Sequence, residues 1–331
     1  MKRYGYLYEK ITSFDNLLSA FKKAYQGVGK KSYSLEYWVK LEPKLIELQR
    51  ELINETYQPR DYRYFKVYIP KERTIAVADF RDRIVHHAIV NILEPIYEKV
   101  FIYNSYATRK NKGTHKAVKK AQDFLRENYW YFKTDVKKYF DSIDHKILYS
   151  VITRKIKDRK LLGLIKKIIK NGGKQGKGLP IGNLTSQFFA NIYLDQLDHY
   201  IKDNLGVNSY LRYMDDFVVL SDDKEYLKTL WKKIEAFLHS NLDLRLKPSA
   251  SFINSRTNGL SFLGTRMFPN TIRVKKENLD RSIHKIKTRE KEYKQGEITE
   301  AKLQQSVNSI IAHLSNYNTY NLRKDIFKGL W

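Results

Sequence analysis

The 331-residue chain is 42% hydrophobic and carries 62 Lys and Arg against 36 Asp and Glu, a formal charge of +26 that points to a polyanionic partner and exceeds what solubility requires. Cysteine is absent, which excludes a disulfide framework, a thiolate zinc site and a cysteine nucleophile, and permits a reducing compartment. Met1-Lys2-Arg3-Tyr4-Gly5 opens no apolar leader and no window holds the roughly 18 apolar residues of a membrane span, so a cytoplasmic protein with no membrane partner is expected.

After Ser13 the apolar stripe Phe14, Leu17, Leu18, Phe21 and Tyr25 predicts an amphipathic helix ending near Gly27, and a second helical stretch follows Ser34. Residues 62–69 alternate as a strand does, Pro70-Lys71-Glu72-Arg73 reads as a turn, and a short strand follows at 74–78. A helix is expected from Arg81 to Leu93, stopped by Pro95. His86 and His87 within it point to different faces, which suits structural roles better than a shared metal. Thr114 reads as the cap of a helix reaching Asn128, and the aromatic run from Tyr129 to Val136 as a buried strand that includes Asp135.

Leu161, Leu164, Ile165, Ile168 and Ile169 predict a helix; the glycines from Gly172 to Gly178 with Pro180 a loop; Leu184, Phe188, Ile192 and Leu197 the next helix. Residues 210–221, YLRYMDDFVVLS, read as two strands pinched around an acidic turn. A helix over 224–239 turns Leu227, Leu230, Trp231, Ile234 and Phe237 inward. An alternating Leu242, Leu244, Leu246 strand, a hairpin through Phe268-Pro269-Asn270 and two charged helices complete the chain. No repeat or flexible linker separates these segments, so interleaved lobes are expected.

Nucleotidyl transfer uses two divalent cations, one activating the attacking 3′-hydroxyl and one neutralising the leaving pyrophosphate, held by carboxylates from separate segments. Asp135 and the Asp215–Asp216 pair fit that need. Taken alone, Tyr213-Met214-Asp215-Asp216 reads equally well as a solvated turn, because Asp favours turns. The flanking Leu211, Phe217, Val218 and Val219 put the two aspartates at the tip of an otherwise buried hairpin, and a buried carboxylate pair calls for a cation.

FKTDVKKYFDSI (132–143), GLPIGNLTSQ (178–187), YMDD (213–216) and FLG (262–264) stand in the order and spacing of reverse-transcriptase motifs, and PKERTI (70–75) resembles the fingers motif that precedes them. The resemblance runs from about Tyr62 to the C-terminus. It implies an α+β right-hand polymerase: a helical N-terminal extension over 1–60, interleaved fingers and ferredoxin-like palm over 61–274, and a helical thumb over 275–331. It further implies that Asp135, Asp215 and Asp216, with the Val136 carbonyl, hold two Mg2+ ions, for which Mn2+ could substitute. Lys71 and Arg73 then grip the triphosphate, and Phe140 is the steric gate against a ribose 2′-hydroxyl. Ile181, Gly182 and Gln187 lie by the incoming nucleotide; Tyr213, Met214, Lys275, Lys276 and Lys285 by template and primer. The implied substrates are dNTPs and a template RNA that becomes an RNA/DNA hybrid.

Within the family, Ile181-Gly182-Asn183-Leu184-Thr185-Ser186-Gln187 resembles the enzymes of diversity-generating retroelements, where an aliphatic residue replaces a glutamine and template adenines are copied with frequent errors. Those relatives also bind a small basic accessory protein together with the template RNA. Residues 309–327 look like that group's thumb end, and no residues follow Trp331 for the maturase and endonuclease domains of group II intron enzymes. The pattern departs at Leu246-Lys247-Pro248-Ser249-Ala250, where a lysine usual near position 250 is absent and Lys247 is the nearest substitute. A retron or defence-associated reverse transcriptase, an RNA-dependent RNA polymerase and a catalytically idle RNA-binding protein stand as alternatives. The basic residues from Arg273 to Lys294 read either as a solvated helix face or as a nucleic-acid track.

Overall fold

A computed structural model gives the fold, describing residues 2–26, 28, 32–68 and 72–327. The N-terminal helices are α1 (Tyr8–Thr12), α2 (Phe14–Gln26), α3 (Ser32–Val39) and α4 (Leu41–Ile53). Leu17 and Phe21 of α2 are fully buried, and Ala20 and Ala24 keep its face flat against the long helix over Phe80–Tyr97. Gly27, the expected end of that helix, lies outside the described residues. The stretch after Ser34 is two helices and not one: Pro43 falls in the first turn of α4, where it needs no N–H partner, whereas in one continuous helix its ring would press on the Val39 carbonyl.

β1 (Arg63–Val67) and β2 (Arg73–Val77) form a two-stranded antiparallel ribbon with Phe65 opposite Ile75. Every β1 residue is exposed, so the alternation read over 62–69 buries no face; Pro70 and Lys71 lie outside the described residues. α5 (Phe80–Tyr97) is capped by Asp79, whose carboxylate accepts from the Arg81 N–H at 3.0 Å. This helix runs through Pro95 instead of stopping before it, because the proline removes one bond in the last turn while Ile96 and Tyr97 are held by burial. Burial also pushes the imidazoles of His86 and His87 down, to about 3 and about 4, consistent with a neutral core His86 and a neutral, half-buried His87.

α6 (Thr114–Glu127) leads into β3 (Trp130–Asp135), followed by α7 (Tyr139–Ser142), α8 (His145–Thr153), α9 (Arg159–Asn171) and α10 (Leu184–His199). Thr114 is not the cap of α6: Gly113 occupies that position, and the Thr114 hydroxyl donates to the Tyr213 hydroxyl at 3.1 Å. A single π turn over Tyr200–Asn204 precedes β4 (Tyr210–Tyr213) and β5 (Asp216–Ser221), then α11 (Lys224–Leu242) and β6 (Phe252–Ser255). The central sheet is antiparallel in the order β4-β5-β3-β6, the ferredoxin-like β-α-β-β-α-β arrangement. Its register follows burial: Phe132 and Val219 face α11, where the Phe132 and Trp231 rings stack at 4.9 Å, while Tyr131 and Val218 face α6.

Leu242 ends α11, and Leu244 and Leu246 are buried without forming a strand; only Leu246 makes a bridge, opposite Val136. Left-handed Asp243 (φ 48°) ends the helix and reverses the chain there, so the leucine alternation reflects burial along an irregular segment. β7 (Leu260–Phe262), β8 (Thr265–Met267) and β9 (Ile272–Val274) form a small sheet, with the expected hairpin at 268–270. Three helices follow in place of the expected two: α12 (Lys276–Lys294), α13 (Glu300–Leu314) and α14 (Tyr320–Phe327). Thr299 caps α13 and the Thr319 hydroxyl donates to the Leu314 carbonyl at 2.5 Å, so capping residues divide into three what reads as two charged helices. One apolar core joins Leu7 to Leu246, N-terminal helices included. No described helix is long and apolar enough to cross a membrane.

Candidate active site

The end of β3 and the β4–β5 turn meet edge to edge, with Asp135 directly opposite Asp216 and the Val136 N–H donating to the Asp215 carbonyl at 3.2 Å. The turn is tight because Met214 adopts a left-handed backbone (φ 57°), and its carbonyl accepts from the Arg212 guanidinium at 2.9 Å. Asp135 Oδ1 is buried with no hydrogen-bond partner, and its carboxylate faces Asp215. Desolvation, with the charge of Asp135 next, pushes the Asp215 carboxyl up to about 7. Asp216 is pushed to about 6 by burial, opposed by Lys133, whose Nζ stands 2.9 Å from its Oδ1.

Two half-buried carboxylates pressed together with one orphaned oxygen are what a divalent cation would relieve, and the all-oxygen donor set suits a hard ion. Among the described residues no three His, Asp or Glu side chains already converge as a metal cage. The third carboxylate, Asp216, leans on Lys133 instead. Neither Lys133 nor Arg212 is singled out by the motif pattern. Lys133 was findable as the same-face neighbour two residues before Asp135, and Arg212 as a charge inside an apolar strand.

Behind the turn lies a fully buried polar network. Arg212 Nε and Nη2 donate to the two Asp198 oxygens at 2.7 and 2.5 Å, and Tyr210 donates to Asp198 at 2.7 Å. Arg212 also donates to Asn191 at 3.2 Å and to Ser105 at 3.2 Å. Burial opposes the Arg212 charge, but the adjacent Asp198 carboxylate outweighs it and raises its pKa further. This network ties the acidic turn to α10 and to the 104–107 segment.

The loop before α10 is bolted to the ribbon. The Ala76 N–H donates to the Ile181 carbonyl at 2.8 Å, and the Asn183 amide donates back to the Ala76 carbonyl at 3.2 Å. Gly182 (φ 114°) sits so close that an added Cβ would lie 2.7 Å from Ile75 Cγ2 and 2.9 Å from the Ala76 carbonyl. Ile181 is thereby half-buried beside β2, whose first residue, Arg73, is exposed; Lys71 lies outside the described residues. Phe140 is half-buried on α7, edge-on to Tyr139 at 5.6 Å, and its carbonyl accepts from Leu179 of the same loop at 2.8 Å.

Gln187 is half-buried in the first turn of α10, its N–H donating to the Asn183 carbonyl at 3.2 Å. Tyr213 and Met214 are half-buried at the turn itself. Lys275 lies close enough to stabilise the Asp216 carboxylate, and its N–H donates to the Gly264 carbonyl at 3.1 Å. Among the described residues no hydrogen bond or ion pair joins Lys276 or Lys285, both exposed on α12, to the acidic turn. The Lys247 N–H donates to the Asp135 carbonyl at 2.8 Å, which sets that residue at the same strand end.

The family described as "Reverse transcriptase (RNA-dependent DNA polymerase)" matches residues 66–267. Protein YkfC of Escherichia coli is 28% identical over 276 residues, covering 69% of this chain and 72% of that protein. Group II intron-encoded protein LtrA of Lactococcus lactis is 26% identical over 322 residues, covering 75% of this chain; the chain spans only 53% of LtrA. A solved telomerase from Candida albicans, in complex with a fragment of telomeric RNA, aligns at TM-score 0.46 and 12% identity over 66% of this chain and 46% of that one, too loosely to bear on the fold.

Proposed function

The chain belongs to the reverse transcriptase family, and on that premise we propose that it is an RNA-directed DNA polymerase whose palm is the sheet β4-β5-β3-β6, whose fingers include the β1–β2 ribbon and whose thumb begins near residue 275. The observation that carries this reading is the facing Asp135 and Asp215 carboxylates, one with a buried oxygen left unpartnered. Asp135 and Asp215, with Asp216 and the Val136 carbonyl, would hold two Mg2+ ions, which when bound supply Lewis-acid activation of the primer hydroxyl and neutralise the leaving pyrophosphate. The fixed Met214 turn keeps the two carboxylate-bearing segments at one separation, so little reorganisation accompanies each addition. Arg73, and Lys71 beside it in sequence, would grip the triphosphate, and Lys247 is the candidate proton donor to pyrophosphate. Tyr213, Met214, Lys275, Lys276 and Lys285 would follow the RNA/DNA hybrid.

The Phe140 backbone is tied to the loop 178–180 through its carbonyl, its ring lies edge-on to Tyr139, and that ring would fill space at the nucleotide's sugar while offering a 2′-hydroxyl no hydrogen bond. Phe140→Ala is expected to reduce the preference for dNTP over rNTP by about 10- to 200-fold. Single-nucleotide extension with each substrate measures it, and an unchanged ratio assigns Phe140 to core packing alone.

The finer reading is an error-prone enzyme of the diversity-generating type, working with a small basic accessory protein on its template RNA. Its support is Ile181, an aliphatic side chain on a loop held rigidly to β2 by the Ala76 bond, where an amide could brace a nascent base pair and an isoleucine offers shape only. Ile181→Gln is expected to lower misincorporation opposite template adenine about tenfold, equivalent to about 1.4 kcal/mol of added discrimination. Errors opposite G, C and U should change less. Deep sequencing of complementary DNA from one defined RNA measures this. Equal error rates at all four template bases in the unmodified enzyme, with accessory protein and RNA supplied, would leave a conventional reverse transcriptase.

A further inference from the structure

The three carboxylates at the strand ends are not compensated alike. Asp135 and Asp215 face each other, and among the described residues neither makes an ion pair. Asp216 has a cation set against it: Lys133 Nζ stands 2.9 Å from its Oδ1, an oxygen otherwise buried and without a partner, and the two side chains are only 13% and 25% exposed. Lys275 adds its charge without pairing. Sheet register places Lys133 for this contact. It shares a face with Asp135, two residues on, and lies opposite Val218 of β5 and Phe252 of β6, so apolar residues flank it on both strands and its head reaches diagonally to Asp216. Among the described residues Lys133 has no other ion pair and no side-chain hydrogen bond. An ammonium costs free energy in such surroundings unless it is paired, and Asp216 is the partner it has.

Lys133 could brace Asp216 as a metal ligand or withhold it. The geometry favours withholding, because the ammonium sits on Asp216 Oδ1 and, with it there, no three acidic side chains converge among the described residues. We infer that Lys133 is a positioning residue that holds Asp216 back from the metal site in the free chain and yields it when substrate enters. The inference rests on the two-metal reading proposed above. On that reading the Asp135 and Asp215 pair, which has no cation of its own, is the part of the site open to a metal before substrate arrives. Asp216 joins only when its carboxylate leaves the ammonium, and the negative triphosphate of a bound dNTP offsets the Lys133 charge at that moment. Lys133 thereby couples complete metal loading to the presence of a nucleotide.

The test is Mn2+ binding to the full chain, followed by electron paramagnetic resonance of the free ion, first without nucleic acid or nucleotide. Lys133→Met is expected to bind Mn2+ about tenfold tighter than the unmodified chain, the size usual for residues coupled through one ion pair. Should the methionine variant fail to fold, Lys133→Gln should show the same gain. A general loss of positive charge would also favour a cation, so the comparison is repeated on an Asp216→Asn background, where the gain should vanish because the carboxylate that Lys133 withholds is gone. With primer, RNA template and a non-hydrolysable dNTP bound, the unmodified chain and Lys133→Met should bind Mn2+ alike. Unchanged or weaker binding in both Lys133 variants, a gain that persists with Asp216→Asn, or a gain as large with the nucleotide bound as without it would overturn the inference. A merely structural lysine would leave Mn2+ affinity unmoved, and a bracing one would lower it. Asp215→Asn separates the two levels of the account. Binding that survives this substitution would overturn the metal reading and this inference with it, whereas Asp215-dependent binding indifferent to Lys133 would overturn this inference alone.

Discussion

Asp215→Asn and, separately, Asp135→Asn are expected to lower RNA-templated DNA synthesis by on the order of a thousandfold or more, since each removes a charge that the proposed metal site shares between two ions. The folded chain should not suffer. Burial and the facing Asp135 charge raise the Asp215 carboxyl above its ordinary range, so as pH rises past that range ionisation favours the unfolded chain, and at neutral pH the charge works against folding unless a cation neutralises it. An amide carries no such penalty. The variants should therefore unfold at the same denaturant midpoint as the unmodified chain or a higher one, and should retain RNA affinity, because one charge in a total of +26 barely alters the electrostatic footprint. Extension kinetics beside denaturant melts measure both effects, and synthesis within tenfold of the unmodified rate in either variant would remove the two aspartates from the chemistry.

Arg212→Met is expected to destabilise the fold by about 3–5 kcal/mol, since it strands the Asp198 carboxylate in a core where both side chains are fully buried. The pair need not itself be a net source of stability, because apolar residues of similar volume can replace buried ion pairs at little cost. Arg212→Met combined with Asp198→Leu should therefore regain much of the loss. It should not regain DNA synthesis, because the Met214 carbonyl would still lack the donor that fixes the turn between β4 and β5. Urea unfolding and primer extension on the single and double variants measure the two effects. A single variant as stable as the unmodified chain would show that Asp198 finds another partner, and a double variant with full activity would show that the turn holds itself.

The strands and helices around the acidic turn are legible in sequence because burial and period agree there: aromatic residues 129–132 run into Asp135, and Phe217 to Leu220 run out of Asp216. Legibility fails where burial and period part. Leu242, Leu244 and Leu246 alternate like a strand, yet Leu242 ends a helix while Leu244 and Leu246 line an irregular segment after a left-handed Asp243, and β1 alternates although every residue in it is exposed. Pro95 reads as a stop but lies in a last turn held by Ile96 and Tyr97. At the site, the motifs name the aspartates but are silent on what holds them: the partners of Arg212 come from residues 105, 191 and 198, and no local pattern brings those positions together.

The most direct measurement is addition of a single nucleotide to a DNA primer annealed to a defined RNA template, with Mg2+ present or chelated and with dNTP or rNTP as substrate. The expected result is addition of the complementary deoxynucleotide, much weaker addition of the ribonucleotide, and none after chelation. Addition of ribonucleotides alone, addition that survives chelation, or no addition with either Mg2+ or Mn2+ would contradict the assignment of this chain as an RNA-directed DNA polymerase.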